Sequence, residues 1–260
     1  MRMMPSTVLL SVVSALIIAG CSVKENRGEC PCRLLLDFSG VDTSVIRSAD
    51  LLVTAGDGVV FADEVGISSS DAQVQLEVPR AELYMNVYSG ISEEPMPGEG
   101  VMIPYGEQAP PLYIHSAGVD SRSESVSTKV VMRKEHCVVT VDVNDKEGFP
   151  FTLKVTGGIC GYDAGGLPVR GEFMCGVEGS AQEGFRVTVP RQLEPSLELH
   201  VYDGAVVAKT FALGEYLERI GYDWTKEDLD DVTVMLDYSL TYVILTVQGW
   251  DEEYAYRVEI

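Results

Sequence analysis

Apolar and polar residues alternate with a period of two in many short segments from residue 33 onward. Successive side chains of a β-strand point to opposite faces of the sheet, so this pattern is typical of strands that bury one face. Helical spacing is convincing in one stretch, Phe211 to Ile220, where apolar residues recur at i, i+3, i+4 and i+7 and Gly221 follows as a stop. The sequence therefore predicts a protein of the all-β class, made mainly of strands, with one short helix.

The strand candidates fall into two groups, separated by the polar joint Met132-Arg133-Lys134-Glu135. Short strands separated by turn signals, such as Gly56-Asp57-Gly58, are typical of antiparallel β-sandwiches. The length suits either one large all-β domain or two domains of the usual size of ~100 to 150 residues. We therefore predict an N-terminal β-sandwich over residues 33–134 and a C-terminal β-sandwich over residues 135–260.

One long segment, Glu93 to Pro111, is rich in Pro and Gly and has no periodic pattern. Such segments are usually surface loops. A loop of this kind could hold a glycan or another protein. However, Trp224 and Trp250 lie in different elements, so the sequence does not indicate a stacking platform for a sugar.

The N-terminus has the features of a lipoprotein signal. Arg2 is followed by the apolar run Val8 to Ala19, and Ile18-Ala19-Gly20-Cys21 reads as a lipobox. The run is shorter than the ~20 residues that cross a bilayer, which favours a cleaved signal over a retained anchor helix. We predict a signal peptide over residues 1–20, cleavage between Gly20 and Cys21, acylation of Cys21, and a lipid-anchored linker over residues 21–32.

With Cys21 assigned to lipid, an odd number of cysteines remains, and at least one thiol must be unpaired. Cys160 and Cys175 flank a Gly-rich turn, which makes a disulfide across a hairpin plausible in an exported protein. Cys30 and Cys32 are too close in sequence to bridge each other comfortably. A zinc site that used this pair would lack the usual C-x₂₋₄-C spacing.

The charge of the chain limits its partners. The sequence has 19 Lys and Arg against 40 Asp and Glu, a net charge of −21. Nucleic-acid binding depends on clustered Lys and Arg, so nucleic acid is not expected as a partner. Anionic lipid head groups would repel this surface, and the lipid on Cys21 should make the membrane contact.

Enzyme signatures are scarce. His136 and Cys137 are adjacent on a strand candidate, so their side chains point to opposite faces and cannot act as base and nucleophile together. Acidic pairs such as Glu93-Glu94 and Glu252-Glu253 are expected by chance in so acidic a chain. We therefore predict no catalytic residues, metal, cofactor or small-molecule substrate.

The last residues form an alternating strand candidate. Apolar or aromatic residues alternate with polar residues and Ala255 up to the end of the sequence. Such a strand could pair within its own sheet, or it could add to the sheet of another chain. The residues concerned are Trp250, Tyr254, Tyr256, Val258 and Ile260.

Several separated stretches together resemble the FimB-like fimbrial anchor lipoproteins of gut and oral anaerobes. They are the lipobox, then Cys30-Pro31-Cys32 before an apolar strand, AELYMNVYSG after a Val-Pro turn, VSTKVVMRKEHCVVTVDV at the midpoint, and Gly249-Trp250 near an alternating terminal strand. Each motif is weak alone, but their order covers most of the mature chain. The resemblance implies two tandem transthyretin-like β-sandwiches and a role in the type V pilus.

In that family, an arginine-specific protease removes the first strand of a stalk subunit, and the C-terminal strand of the next subunit fills the groove. The resemblance therefore implies an anchor on the outer membrane or cell surface, whose partner is a pilus stalk subunit. Trp250, Tyr254, Tyr256, Val258 and Ile260 would form the donor strand. Arg47, which follows the first strand, is a candidate protease site, so a cleaved stalk or tip subunit is the alternative.

Overall fold

The computed structural model describes residues 30–68, 72–91, 100–144, 150–237, 242–248 and 253–259; for residues 237, 242–248 and 253–259 it describes the backbone alone. Gly20, Cys21, Trp250 and Ile260 lie outside the described residues. Strands dominate, and the single α-helix of the described ranges is short. The elements in chain order are β1 (Cys32–Asp37), β2 (Ser48–Ala55), β3 (Gly58–Gly66), β4 (Gln73–Val78), β5 (Glu82–Ser89), β6 (Val101–Met102), β7 (Tyr113–Asp120), β8 (Ser125–Lys129), β9 (Arg133–Lys134), β10 (His136–Val143), β11 (Thr152–Tyr162), β12 (Pro168–Gly176), β13 (Glu178–Ser180), β14 (Gly184–Pro190), β15 (Glu198–Asp203), β16 (Val206–Phe211), α1 (Leu213–Arg219), β17 (Val232–Asp237), β18 (Tyr242–Gln248) and β19 (Glu253–Glu259).

The first half of the chain forms a sandwich of two sheets, with strand orders β4-β1-β8 and β3-β2-β5-β7-β9. Alternate residues of β1 point into its core, as the period of two predicts. Residues that share this core and are at most 1% exposed are Cys32, Leu34, Leu36, Phe38, Leu51, Val53, Val78, Met85, Val87 and Val130.

The second half forms another sandwich, with strand orders β13-β14-β10-β17-β18-β19 and β12-β11-β15-β16. The predicted helix is confirmed as α1, which buries Leu213 and Leu217 against this core, and Gly221 follows it with a positive φ of 84°. The predicted all-β class with two tandem sandwiches and one short helix is thereby confirmed. No helix in the described part of the chain is long and apolar enough to span a membrane.

The two sandwiches repeat one topology. β1 pairs antiparallel with β4 and parallel with β8, and β10 pairs antiparallel with β14 and parallel with β17. In the facing sheets, β3-β2-β5-β7 corresponds to β12-β11-β15-β16. The sandwiches are therefore not wholly antiparallel, whereas the sequence pattern predicts antiparallel ones. In each of them the chain adds strands to the facing sheet, and a later strand, β8 or β17, then pairs parallel with the first strand.

The segment predicted as a surface loop is instead partly built into the second sandwich. β6 pairs with the end of β11, and the N–H group of Gly106 donates to the carbonyl oxygen of Met174 at 2.8 Å. Ile103 and Ala109 are 7% and 4% exposed and belong to the second core. Residues 100–111, which we call the strap, thus leave the first sandwich to pack into the second. The loop prediction failed because the sequence between β5 and β7 supplies side chains to a core that is formed much later in the chain.

The predicted disulfide between Cys160 and Cys175 is not present, since both residues are free thiols. β11 and β12 do form the predicted hairpin, but Cys175 pairs with Val155 while the thiol of Cys160 lies 3.7 Å from the carbonyl oxygen of Val169. The register therefore separates the two sulfur atoms along the strands. The zinc alternative has no support among the described residues, where no cluster of three or more ligand side chains occurs.

Candidate functional site

Two strands extend the second sandwich beyond the repeated topology. β18 pairs antiparallel with the outer edge of β17, and β19 pairs antiparallel with β18. The equivalent strand of the first sandwich, β8, has no such extension among the described residues. The C-terminal hairpin β18–β19 is therefore an addition to the basic sandwich, and β19 is the edge strand of its sheet.

The structure places three of the predicted donor residues in β19. The register pairs Tyr254 with Val247, Tyr256 with Leu245 and Val258 with Val243. Apolar positions of β19 therefore lie opposite apolar positions of β18. An edge strand exposes a row of unpaired N–H and C=O groups on which another chain can pair.

The first strand is held on both sides. β1 lies between β4 and β8, so both of its edges are paired. Leu34 and Leu36 are 0% exposed. Cys32 is buried at the start of the strand and Cys30 is exposed just before it. Removing this strand would open a groove between β4 and β8 and uncover the first core.

Arg47, the candidate protease site, lies on the bend just before β2, and its side chain is exposed. Its carbonyl oxygen accepts a hydrogen bond from the N–H group of Ile67 at 2.8 Å. The preceding turn is closed by Asp42, whose carboxylate accepts hydrogen bonds from the backbone N–H and hydroxyl groups of Ser44. These hydrogen bonds lower the pKa of Asp42. The segment is thus accessible but locally ordered.

A buried ionic network lies at the joint between the sandwiches, where the sequence pattern gave no sign of one. Nε of Arg191 lies 2.6 Å from Oε2 of Glu135, and the two side chains are 3% and 0% exposed. The remaining guanidinium N–H groups donate to backbone carbonyl oxygens. Those acceptors are Lys134, Trp224, Lys226 and Glu227.

Tyr162, at the end of β11, connects this network to the first sandwich. Its hydroxyl group donates to the carbonyl oxygen of Glu135 and accepts from the N–H group of Arg191. Burial raises the pKa of Tyr162 well above its ordinary value. Its ring packs in a small apolar cluster with Tyr88, Leu112 and Ile114. The Met132 to Glu135 joint is therefore a packed contact, although the sequence indicated only a polar linker.

The described residues bring no catalytic arrangement together. His136 is buried, which lowers its pKa, and its Nδ1 lies 3.1 Å from the carbonyl oxygen of Leu112. Burial raises the pKa of Cys137 to about 12, so its thiol is protonated at neutral pH. His136 and Cys137 therefore contribute to packing. Sheet edges are the described features that suit an intermolecular contact.

Neither a family model nor a curated protein matches the sequence. Solved structures do match. A candidate polysaccharide-binding protein from Bacteroides thetaiotaomicron has a TM-score of 0.62 at 11% identity, over 88% of this chain and 98% of that one. An adhesin candidate from Bacteroides ovatus has a TM-score of 0.62 at 11% identity, over 90% and 98%.

The fimbrial anchor protein Mfa2 from Porphyromonas gingivalis has a TM-score of 0.61 at 14% identity, over 85% of this chain and 98% of that one. At such low identity these matches establish the fold alone. They agree with the resemblance to fimbrial anchor lipoproteins, which is thereby confirmed at the level of the fold. The chain has the fold of the Mfa2 anchor and of Bacteroides adhesin candidates over most of its length.

Proposed function

We propose that this chain is a type V pilus anchor, held at the outer membrane by a lipid on Cys21 and joined to the fibre through its C-terminal strand. The hairpin β18–β19 carries the proposal, because it extends a sandwich topology that is otherwise complete. The fold shared with the Mfa2 fimbrial anchor supports the same role. The partner would be the adjacent stalk subunit.

Strand exchange is physically reasonable for β19. An edge strand that leaves its own sheet loses the backbone hydrogen bonds to one neighbouring strand. When it enters a groove between two strands of another subunit, it forms backbone hydrogen bonds on both sides. Alternating positions give such a strand its specificity. Trp250, Tyr254, Tyr256, Val258 and Ile260 are the donor positions of this proposal.

An anchor must also keep its own first strand. β1 continues from the linker that follows Cys21, and its apolar side chains fill the first core. A cut at Arg47 would leave the lipid on a short peptide, and only the noncovalent pairing of β1 would hold the rest of the protein. The anchor role therefore requires an intact chain across Arg47.

The decisive experiment compares two triple variants of β19 in cells. Tyr254→Ser/Tyr256→Ser/Val258→Ser should release pili into the medium while this protein stays in the membrane fraction. Glu253→Ser/Ala255→Ser/Arg257→Ser changes the alternate positions of the same strand and should retain the pili. Equal retention by both variants would overturn the donor role.

A cleaved stalk or tip subunit is the second candidate, because Arg47 is exposed. The mass of the protein recovered from piliated cells separates the two roles. An anchor gives a chain that begins at the acylated Cys21, whereas a processed subunit begins at Ser48.

A surface lipoprotein that binds a glycan or host protein is the third candidate, and the candidate polysaccharide-binding protein with this fold favours it. Glycan-array binding in a strain whose pili are unaffected by loss of this protein would support this role and contradict the anchor.

A further inference from the structure

The joint between the sandwiches shows how an extended segment docks on one edge of this fold. β9 pairs antiparallel with the first two residues of β7. The N–H group of Glu135 extends this ladder by donating to the carbonyl oxygen of Leu112 at 2.9 Å. The segment that leads into the second sandwich therefore covers the start of β7, and it does so with the basic pair Arg133 and Lys134.

The same position in the second sandwich has no partner strand in the described part of the chain. β16 corresponds to β7 in the repeated topology, and no described strand pairs with its outer edge. Val206 and Val207, its first two residues, are 69% and 45% exposed. Ala205 and Ala208 on either side are also exposed. Consecutive residues of a strand point to opposite faces, so both faces of this strand end are uncovered.

The register supports this correspondence. The end of β5 pairs with the start of β7, Ser89 with Tyr113, and the end of β15 pairs with the start of β16, Asp203 with Val206. The second ladder differs in one respect, a register shift that leaves Ala208 as an extra residue in β16. The connection between the first pair of strands is long and includes the strap, which crosses into the next sandwich, whereas a short turn at Gly204 joins the second pair. In the first sandwich this end of the sheet is thus the end that contacts the following module.

We propose that the start of β16 is a second docking edge, on which the adjacent fibre subunit lays an extended basic segment antiparallel to residues 205–207, before the register shift at Ala208. This inference rests on the proposed function, which supplies the adjacent subunit. The proposed segment would pair with β16 in the way that β9 pairs with β7. Charge favours the basic segment, because Asp203 is exposed beside this edge and the whole chain carries −21. The contact would cover exposed valines on a strand edge that pairs with no described strand.

A synthetic peptide of residues 129–135, Lys-Val-Val-Met-Arg-Lys-Glu, serves as the probe. Added at millimolar concentration to the isotopically labelled soluble chain, it should shift the backbone amide resonances of residues 205–207. Val206→Lys/Val207→Lys should abolish these shifts, because two added cations repel the basic peptide and the apolar contact with the valines is lost. Val59→Lys changes an exposed valine on another edge strand, β3, and should leave them unchanged.

Absence of shifts at β16, shifts confined to other edges, or equal binding by Val206→Lys/Val207→Lys would each overturn the inference. All changed side chains are exposed, and thermal unfolding of each variant verifies the fold. In cells, a photo-cross-linking residue at Val207 should capture the stalk subunit, and one at Val59 should not. If the β19 triple variant sheds pili while position 207 captures no stalk subunit, the docking edge fails and the anchor role stands. If the β19 variant retains pili, the proposed function itself fails.

Discussion

Arg191 and Glu135 form a buried ion pair at the joint between the two sandwiches, with 2.6 Å between Nε and Oε2. Glu135 follows β9 and Arg191 follows β14, so the pair connects the linker to the second sandwich. Backbone carbonyl oxygens of two segments, 134 and 224–227, accept the other guanidinium hydrogens. The pair therefore holds three stretches of chain at one point.

Arg191→Met should destabilise the protein by about 3 to 5 kcal/mol, because it removes the close partner of Oε2 of the buried Glu135 carboxylate. The carboxylate then keeps only Arg133, whose guanidinium lies 3.3 Å from Oε1 and is partly exposed. Arg170→Met is the matched control, since Arg170 pairs with Glu194 where the two side chains are 62% and 53% exposed. Exposed pairs contribute about 0 to 1 kcal/mol. Denaturant unfolding measures both variants, and equal losses of stability would contradict the buried role.

Ile103→Ala should destabilise the second sandwich by about 2 to 5 kcal/mol, as expected for a truncated core side chain. Met102→Ala, one residue earlier in β6 and 55% exposed, should have a much smaller effect. Hydrogen exchange should show faster opening of β11, the partner of β6, in the Ile103 variant only. If exchange in β11 were the same in both variants, the strap would not be part of the second core.

The thiols should differ in reactivity. Cys30 is exposed and should react first with a disulfide reagent at mildly alkaline pH. Burial raises the pKa values of Cys137 and Cys175 to about 12, so both should stay unmodified until the protein unfolds. Peptide mapping of the labelled protein locates each reaction, and an intact Cys160–Cys175 linkage in that map would contradict the structure.

Stability should fall at high pH, in part through Tyr88. Burial raises its pKa from 10.0 to about 12 in the folded state. The contribution of this group is therefore complete below pH 10 and is lost as the pH rises toward about 12, because the unfolded chain releases the proton first. Tyr88→Phe should reduce the slope of unfolding free energy against pH in this range. Tyr105→Phe, at an exposed position, should keep the wild-type slope.

Local pattern predicted the strands, because a period of two follows directly from burying one face of a sheet. It also predicted α1, whose apolar spacing and following Gly221 are local signals. Alternation alone could not place β19 at the edge of a sheet, since it does not reveal which strand is its neighbour.

Features that depend on contacts between residues distant in sequence could not be predicted from local pattern. The strap lacks periodicity because only single residues such as Ile103 enter the core, and they enter the core of the other sandwich. The Cys160–Cys175 prediction assumed a register that the hairpin does not adopt. Arg191 and Glu135 are far apart in sequence, and ordinary charged residues in a chain of this composition give no sign of burial.

The position of this protein on released fibres tests the anchor role most directly. Cells that export the chain with Cys21→Ala under an ordinary secretion signal should shed their pili, and immunogold labelling should find this protein at one end of each shed fibre. Pili that remain on the cells, or label distributed along the fibre, would contradict the anchor.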